Sequence, residues 1–121
     1  MKLKTAKIFV ESFETTNHRW KMALKGKMRS GAKEEIITVS SFEILGKVFS
    51  APRLEILALI PVLKPRSIAG LARAIKRDFK NVYSDVKFLA DVGLIELREE
   101  GARKTLVPVP RFAGIEFPWA A

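Results

Sequence analysis

The sequence predicts an α+β fold, and three observations predict it. Short β-branched runs lie at both ends of the chain. Between residues 50 and 92 apolar residues recur at helical spacing behind recognisable caps. Two further β-branched runs, separated by a polar turn, follow directly after that helical region.

Thr5–Val10 (TAKIFV) is strand-like, with β-branched residues and an aromatic. A helix is expected roughly from Glu14 to Met28, with Trp20, Ala23 and Leu24 at helical spacing and Gly26 and Ser30-Gly31 ending it. Glu35–Val39 (EIITV) reads as a second strand. Ser40 or Ser41 then caps a short helix holding Phe42, Ile44, Leu45, Val48 and Phe49, and Glu43 stands three residues after Ser40, as a capping box asks. Ser50 is the N-cap of the next helix, with Pro52 in its first turn, where a missing N–H costs nothing. Leu54, Leu57 and Ile60 form its expected stripe, and Pro61 should kink or end it.

Ser67 caps a helix whose apolar stripe is Ile68, Leu71, Ala72 and Ile75. Lys76-Arg77-Asp78 makes the turn. Asp78 caps a third helix, Phe79 to Val92, with Val82, Val86 and Leu89 facing inward, and Gly93 stops it in a left-handed conformation. Leu94–Arg98 is a strand, Glu99-Glu100-Gly101 a turn, and Thr105–Pro108 the returning strand, ended by Pro108 and Pro110. Gly114–Trp119 places Ile115, Phe117 and Trp119 on one side and is a candidate last strand. Three parts follow: an N-terminal extension over 1–49, a central module over 50–108 and a tail over 109–121.

Composition narrows the function. The 121 residues carry a net charge of +9, with 48% hydrophobic and 29% charged residues, the profile of a folded chain that suits a polyanionic partner. There is no cysteine, so disulfides, thiolate nucleophiles and cysteine-held zinc are excluded, and His18 is the single histidine. No metal and no cofactor is implied. No glycine-rich phosphate loop and no nucleophile elbow is present, so no enzyme is expected. No run approaches the ~18 apolar residues of a membrane span, and the start is not a secretory signal, so a cytoplasmic location is expected.

Three helices, the last two joined by a tight turn, followed by a hairpin, is the order of a winged helix-turn-helix. The second helix of such a motif fits the major groove, about 12 Å wide, and the hairpin or wing reaches phosphates. Opposite Val82 on the third helix fall Lys80, Ser84 and Lys87, flanked by Asn81 and Tyr83. Asn suits adenine and Lys suits guanine or phosphate, and the helix N-terminus offers free N–H groups to a phosphate. Ser67, Lys76 and Arg77 precede this face, and Arg103 and Lys104 follow the wing tip. Together these ten residues are the candidate contacts to double-stranded DNA. The plain alternative is a solvated helix face. Tyr83 reads equally as packing filler. Asp85 is expected to pair with a nearby arginine. Phe88 packs either under the wing or at a subunit contact. Arg19 to Lys33 holds six basic residues and no acidic one, a second phosphate surface or a solvated face. Base-stacking aromatics of single-stranded RNA readers are missing from 94–107.

Ser67-Ile-x-x-Leu-Ala, Arg77-Asp-Phe-Lys-Asn-Val-Tyr-x-Asp-Val-Lys-x-Leu and Gly93-Leu-Ile-Glu together resemble a family of small prokaryotic proteins regarded as transcriptional regulators, with a MarR-like winged helix. The resemblance spans Ser50 to Val107 and is weak before Phe42. Pro61 departs from it. It implies that Lys80, Asn81, Ser84 and Lys87 lie on the recognition helix and Arg103 and Lys104 in the wing. Some members are described as antitoxins, which implies a cognate toxin as a second partner. The expected function is sequence-specific binding to duplex DNA as a homodimer, with recognition helices about 10 base pairs apart. The N-terminal strand and the Ile115/Phe117/Trp119 tail are the candidate dimer contacts.

Overall fold

The computed structural model describes residues 3–10 and 35–117. In chain order the elements are β1 (Thr5–Val10), β2 (Glu35–Val39), α1 (Phe42–Val48), α2 (Ala51–Leu63), α3 (Ile68–Ile75), α4 (Phe79–Asp91), β3 (Ile95–Glu100), β4 (Thr105–Pro110) and β5 (Gly114–Glu116). The fold is mixed α+β. The expected helix over 14–28, the basic stretch 19–33, His18 and Trp119 lie outside the described residues.

The chain divides into two units, Met1–Lys47 with Phe112–Ala121, and Val48–Arg111. In the first, β1 is the middle strand of a three-stranded sheet, order β2-β1-β5, and both pairings are parallel. Ile8 faces Ile37 across one pairing, and Ala6 faces Ile115 across the other. Alternation along β1 buries Ala6 and Ile8 on one face. Parallel neighbours need long connections, and here the chain makes the entire second unit before returning to lay β5 beside β1. The Ala113 N–H donates to the Lys4 carbonyl at 2.9 Å, fixing that return. Of the tail, Gly114–Glu116 is therefore part of the first unit's sheet.

Ser41, not Ser40, caps α1: its Oγ accepts from the Ile44 N–H at 3.1 Å. The Ser40–Glu43 capping box is thus replaced by a cap one residue later.

The second unit is built on three helices and a hairpin. Ser50 is the N-cap of α2 by position, but its side chain makes no capping bond. Pro61 does not end α2. The helix runs on to Leu63 and closes at Lys64, whose N–H bonds the Ile60 carbonyl. The inward residues are Ile56 and Ile60, whereas Leu54 is 43% exposed. Ile60 is buried as expected, but Ile56 stands in the core in place of Leu54, because α2 is apolar on nearly every side and spacing alone does not choose a face.

In α3 the Ser67 Oγ accepts from the Gly70 N–H at 2.9 Å, and Ile68, Leu71 and Ala72 are buried. In α4 the Asp78 carboxylate accepts from the Asn81 N–H, and Val82, Val86 and Leu89 are fully buried. That one-sided burial holds α4 against the unit's core and fixes which face it turns outward. Gly93 (φ 87) closes α4. Its N–H bonds the Ala90 carbonyl and the Leu94 N–H bonds the Leu89 carbonyl, the paired closure that a left-handed residue permits. A side chain at 93 would also approach the Arg111 guanidinium at 3.3 Å.

β3 and β4 form an antiparallel hairpin in which Leu97 faces Pro108 and Glu100 faces Thr105. The turn lies at Gly101–Lys104, later than Glu99-Glu100-Gly101, because left-handed residues at Gly101 and Lys104 set a four-residue loop. Pro108 does not end β4, which runs on to its last residue, Pro110. They are two apart, so both missing donors fall on one side of a strand that has only one neighbour.

Candidate nucleic-acid interface

The outward face of α4 is set by its inward one. With Val82, Val86 and Leu89 in the core, Lys80, Asn81 and Ser84 are exposed and Lys87 is half-exposed. Tyr83 is 39% exposed, and its ring centroid lies 5.8 Å from that of Phe79, itself exposed. The two aromatics border the Lys80–Lys87 side. Lys76 is exposed in the turn before α4, and Arg103 and Lys104 are exposed in the hairpin turn. Among the described residues, none of these lysines, nor Arg103, makes an ion pair. Their charges are thus presented to solvent at full strength. The hairpin tip also carries the exposed Glu99 and Glu100. Its cations consequently act only at close range and not through a long positive field.

Three sequence-based expectations change here. Arg77, expected on the open surface, is held inward: its Nη2 donates to Asp85 Oδ2 at 2.9 Å, and its Nη1 is buried with no hydrogen-bond partner. Ser67 commits one oxygen lone pair to the α3 cap, which leaves its hydroxyl proton and second lone pair for any other partner. Replacing Ser67 with alanine should lower stability by about 1 kcal/mol, read as a shift in the urea midpoint at unchanged slope. The N-terminus of α4 is less open to a phosphate than expected, since Asp78 occupies the Asn81 N–H and adds negative charge there.

Asp85 does pair with arginine, and with two of them. Arg53 Nε donates to its Oδ1 at 3.1 Å while Arg77 takes Oδ2. The Arg53 guanidinium also lies 3.8 Å over the Phe88 ring. Phe88 is thus the platform for a cation from α2. Asp85 and Phe88 are three apart on α4, so one arginine covers both. This arrangement removes the one carboxylate in the middle of α4 from the outward face. Sequence reasoning missed Arg53. Its only sequence signal was a single arginine in the first turn of a helix whose one other charged residue is Glu55.

Elsewhere in the unit, Ala90, Ile95, Glu96, Leu97 and Arg111 line an open depression of about 430 Å³. On the hairpin Arg98 Nε donates to Glu96 Oε1 at 2.9 Å, and that bond holds the Glu96 carboxyl below its usual range and the Arg98 guanidinium above its own. Among the described residues no cluster of acidic or histidine side chains could hold a metal ion, and no helix is long and apolar enough to cross a membrane.

The class these features define is a mixed α+β protein whose helical unit turns a cationic, carboxylate-poor helix face to solvent. The chain belongs to the HVO_A0114 family, whose model matches residues 48–116, more than half of the sequence. That match begins where the second unit begins and runs through β5. No curated protein and no solved structure matches the chain.

Proposed function

We propose that Val48–Arg111 is a winged helix-turn-helix module and that the protein is a sequence-specific regulator of transcription, binding duplex DNA as a homodimer in the cytoplasm. The observation that carries this reading is the outward face of α4. Lys80, Asn81 and Ser84 are exposed together, while Asp85 is turned inward onto Arg53 and Arg77. A helix in the major groove needs donors and acceptors that reach base edges, and a carboxylate facing the backbone there is repelled by the phosphates. In this reading α4 enters the groove, α3 braces it across the backbone, and the β3–β4 hairpin is the wing, with Arg103 and Lys104 at phosphates. Lys80 and Lys87 serve phosphate or guanine, and Asn81 serves an adenine edge. The Arg53–Asp85–Arg77 group holds α4 at its angle and touches no DNA.

Selection of bound sequences from a random duplex pool, followed by salt titrations, tests the reading. Asn81→Ala should relax base preference at one position by about 1–3 kcal/mol. Lys80→Ala or Arg103→Ala should weaken binding to every sequence and flatten the salt slope by roughly one unit. Equal affinity for selected and scrambled duplexes would refute the sequence specificity.

A further inference from the structure

Among the described residues three that are not glycine hold a left-handed backbone: Lys64 (φ 47), Lys76 (φ 57) and Lys104 (φ 53). All three are lysines and all three are exposed. That conformation crowds the Cβ of any L-residue, and glycine avoids the penalty. The chain itself displays the glycine solution. α4 closes on Gly93, with bonds from the Gly93 N–H to the Ala90 carbonyl and from the Leu94 N–H to the Leu89 carbonyl. α3 closes with the same two bonds, from the Lys76 N–H to Arg73 and from the Arg77 N–H to Ala72. Lysine stands there where glycine stands at the end of α4. In the hairpin turn the contrast recurs within four residues, with Gly101 (φ 78) at one end and Lys104 at the other.

A cation near the last carbonyls of a helix is favourable, which accounts for part of the choice at Lys64 and Lys76. It does not account for Lys104, which ends no helix. What the three share is a positive side chain fixed on a tight, exposed turn of the second unit. Strained backbone retained at several places in one unit points to function when the side chain kept there has a common chemistry.

We propose that the three left-handed lysines are phosphate-contact positions, so that duplex DNA is gripped at the α2–α3 turn by Lys64 as well as at the α3–α4 turn and the hairpin turn. This deepens the DNA-binding reading and rests on it. Lys64 is the new member. Arg66, exposed two residues later, lies in the same turn and adds charge to it. The substitution to glycine should then separate folding from binding, because it relieves the backbone and deletes the contact at once.

The experiment uses the full chain with K64G, K76G and K104G, and with K64Q, K76Q and K104Q, which delete the charge but keep the crowded backbone. Thermal midpoints are measured alongside affinity for a short random-sequence duplex at several salt concentrations. Each glycine variant should melt at or above the wild type, and each of the six variants should bind several-fold more weakly, with the salt slope shallower by about one unit. Glycine variants that gain stability while all six keep the wild-type slope would show that these lysines are turn residues only, and would overturn the proposal while leaving the α4 reading standing. A wild-type protein without salt-dependent duplex binding would instead overturn both. Weakened binding to anionic lipid vesicles, with duplex affinity unchanged, would overturn the assignment of the partner.

Discussion

Replacing Asp85 with alanine should destabilise the helical unit by about 2–3 kcal/mol. The carboxylate accepts from Arg53 through one oxygen and from Arg77 through the other, and the three side chains are only 15%, 20% and 26% exposed respectively. Removing it takes away the carboxylate that both guanidinium groups face, and both are largely shielded from water. Arg77 Nη1 already lacks a partner, so its guanidinium has little room for further loss. Breaking a fully buried pair costs about 3–5 kcal/mol, and the residual water access here sets the lower figure. For a unit of this size each kcal/mol moves the melting midpoint by about 4–8 °C. A drop of roughly 10 °C or more in a circular-dichroism melt is therefore expected. Asp85→Asn should fail almost as badly, because its amide keeps the shape but not the charge. Adding Arg53→Met to Asp85→Ala should recover part of the loss, since one of the two cations that faced the carboxylate then disappears and a flexible apolar side chain can rest on Phe88. An Asp85→Ala protein within about 0.5 kcal/mol of the wild type, the scatter of ordinary surface changes, would show that the pair is no more than decoration.

What could be read from the sequence was what is decided within a few residues. Ser67 and Asp78 cap helices through bonds to N–H groups three positions on, and the spacing of Val82, Val86 and Leu89 marks a core face without reference to anything distant. From those the open face of α4 follows, with Lys80, Asn81 and Ser84 on it. The misreadings have equally definite causes. α2 offers apolar residues around its whole circumference, so its buried side depends on what it meets and not on its own pattern. Glu99 and Glu100 look like turn residues, but the loop is placed by the backbone sign at Lys104, which composition does not reveal. Arg77 lies in a basic turn and reads there, like Lys76, as a candidate DNA contact. Only the position of Asp85 about two helical turns beyond the cap Asp78, with Arg53 arriving from α2, shows that it faces inward. The pairing of the tail strand is not legible because its partner, β1, stands more than a hundred residues away in the chain.

Reversing both lysines on the outward face, Lys80→Glu with Lys87→Glu, should weaken binding to any duplex by on the order of 10²-fold at 0.1 M salt. Each phosphate neutralised by a lysine contributes about 0.9 to the salt slope, or nearly tenfold in affinity for every tenfold dilution of salt below 1 M. Losing two such contacts gives most of the effect, and the glutamates add repulsion from the phosphates. Folding should be nearly untouched: Lys80 is exposed and Lys87 half-exposed, and among the described residues neither has an ion-pair partner to lose. A glutamate at position 80 also lies in the first turn of α4, where negative charge suits the helix. Melting curves of the double variant should overlay those of the wild type while its gel shifts vanish. The loss should be uniform across sequences, in contrast to Asn81→Ala, whose effect should be confined to one base pair. If the double variant retained its affinity, α4 could not be the helix in the groove. The positive charge of the chain would then have to engage DNA through other residues.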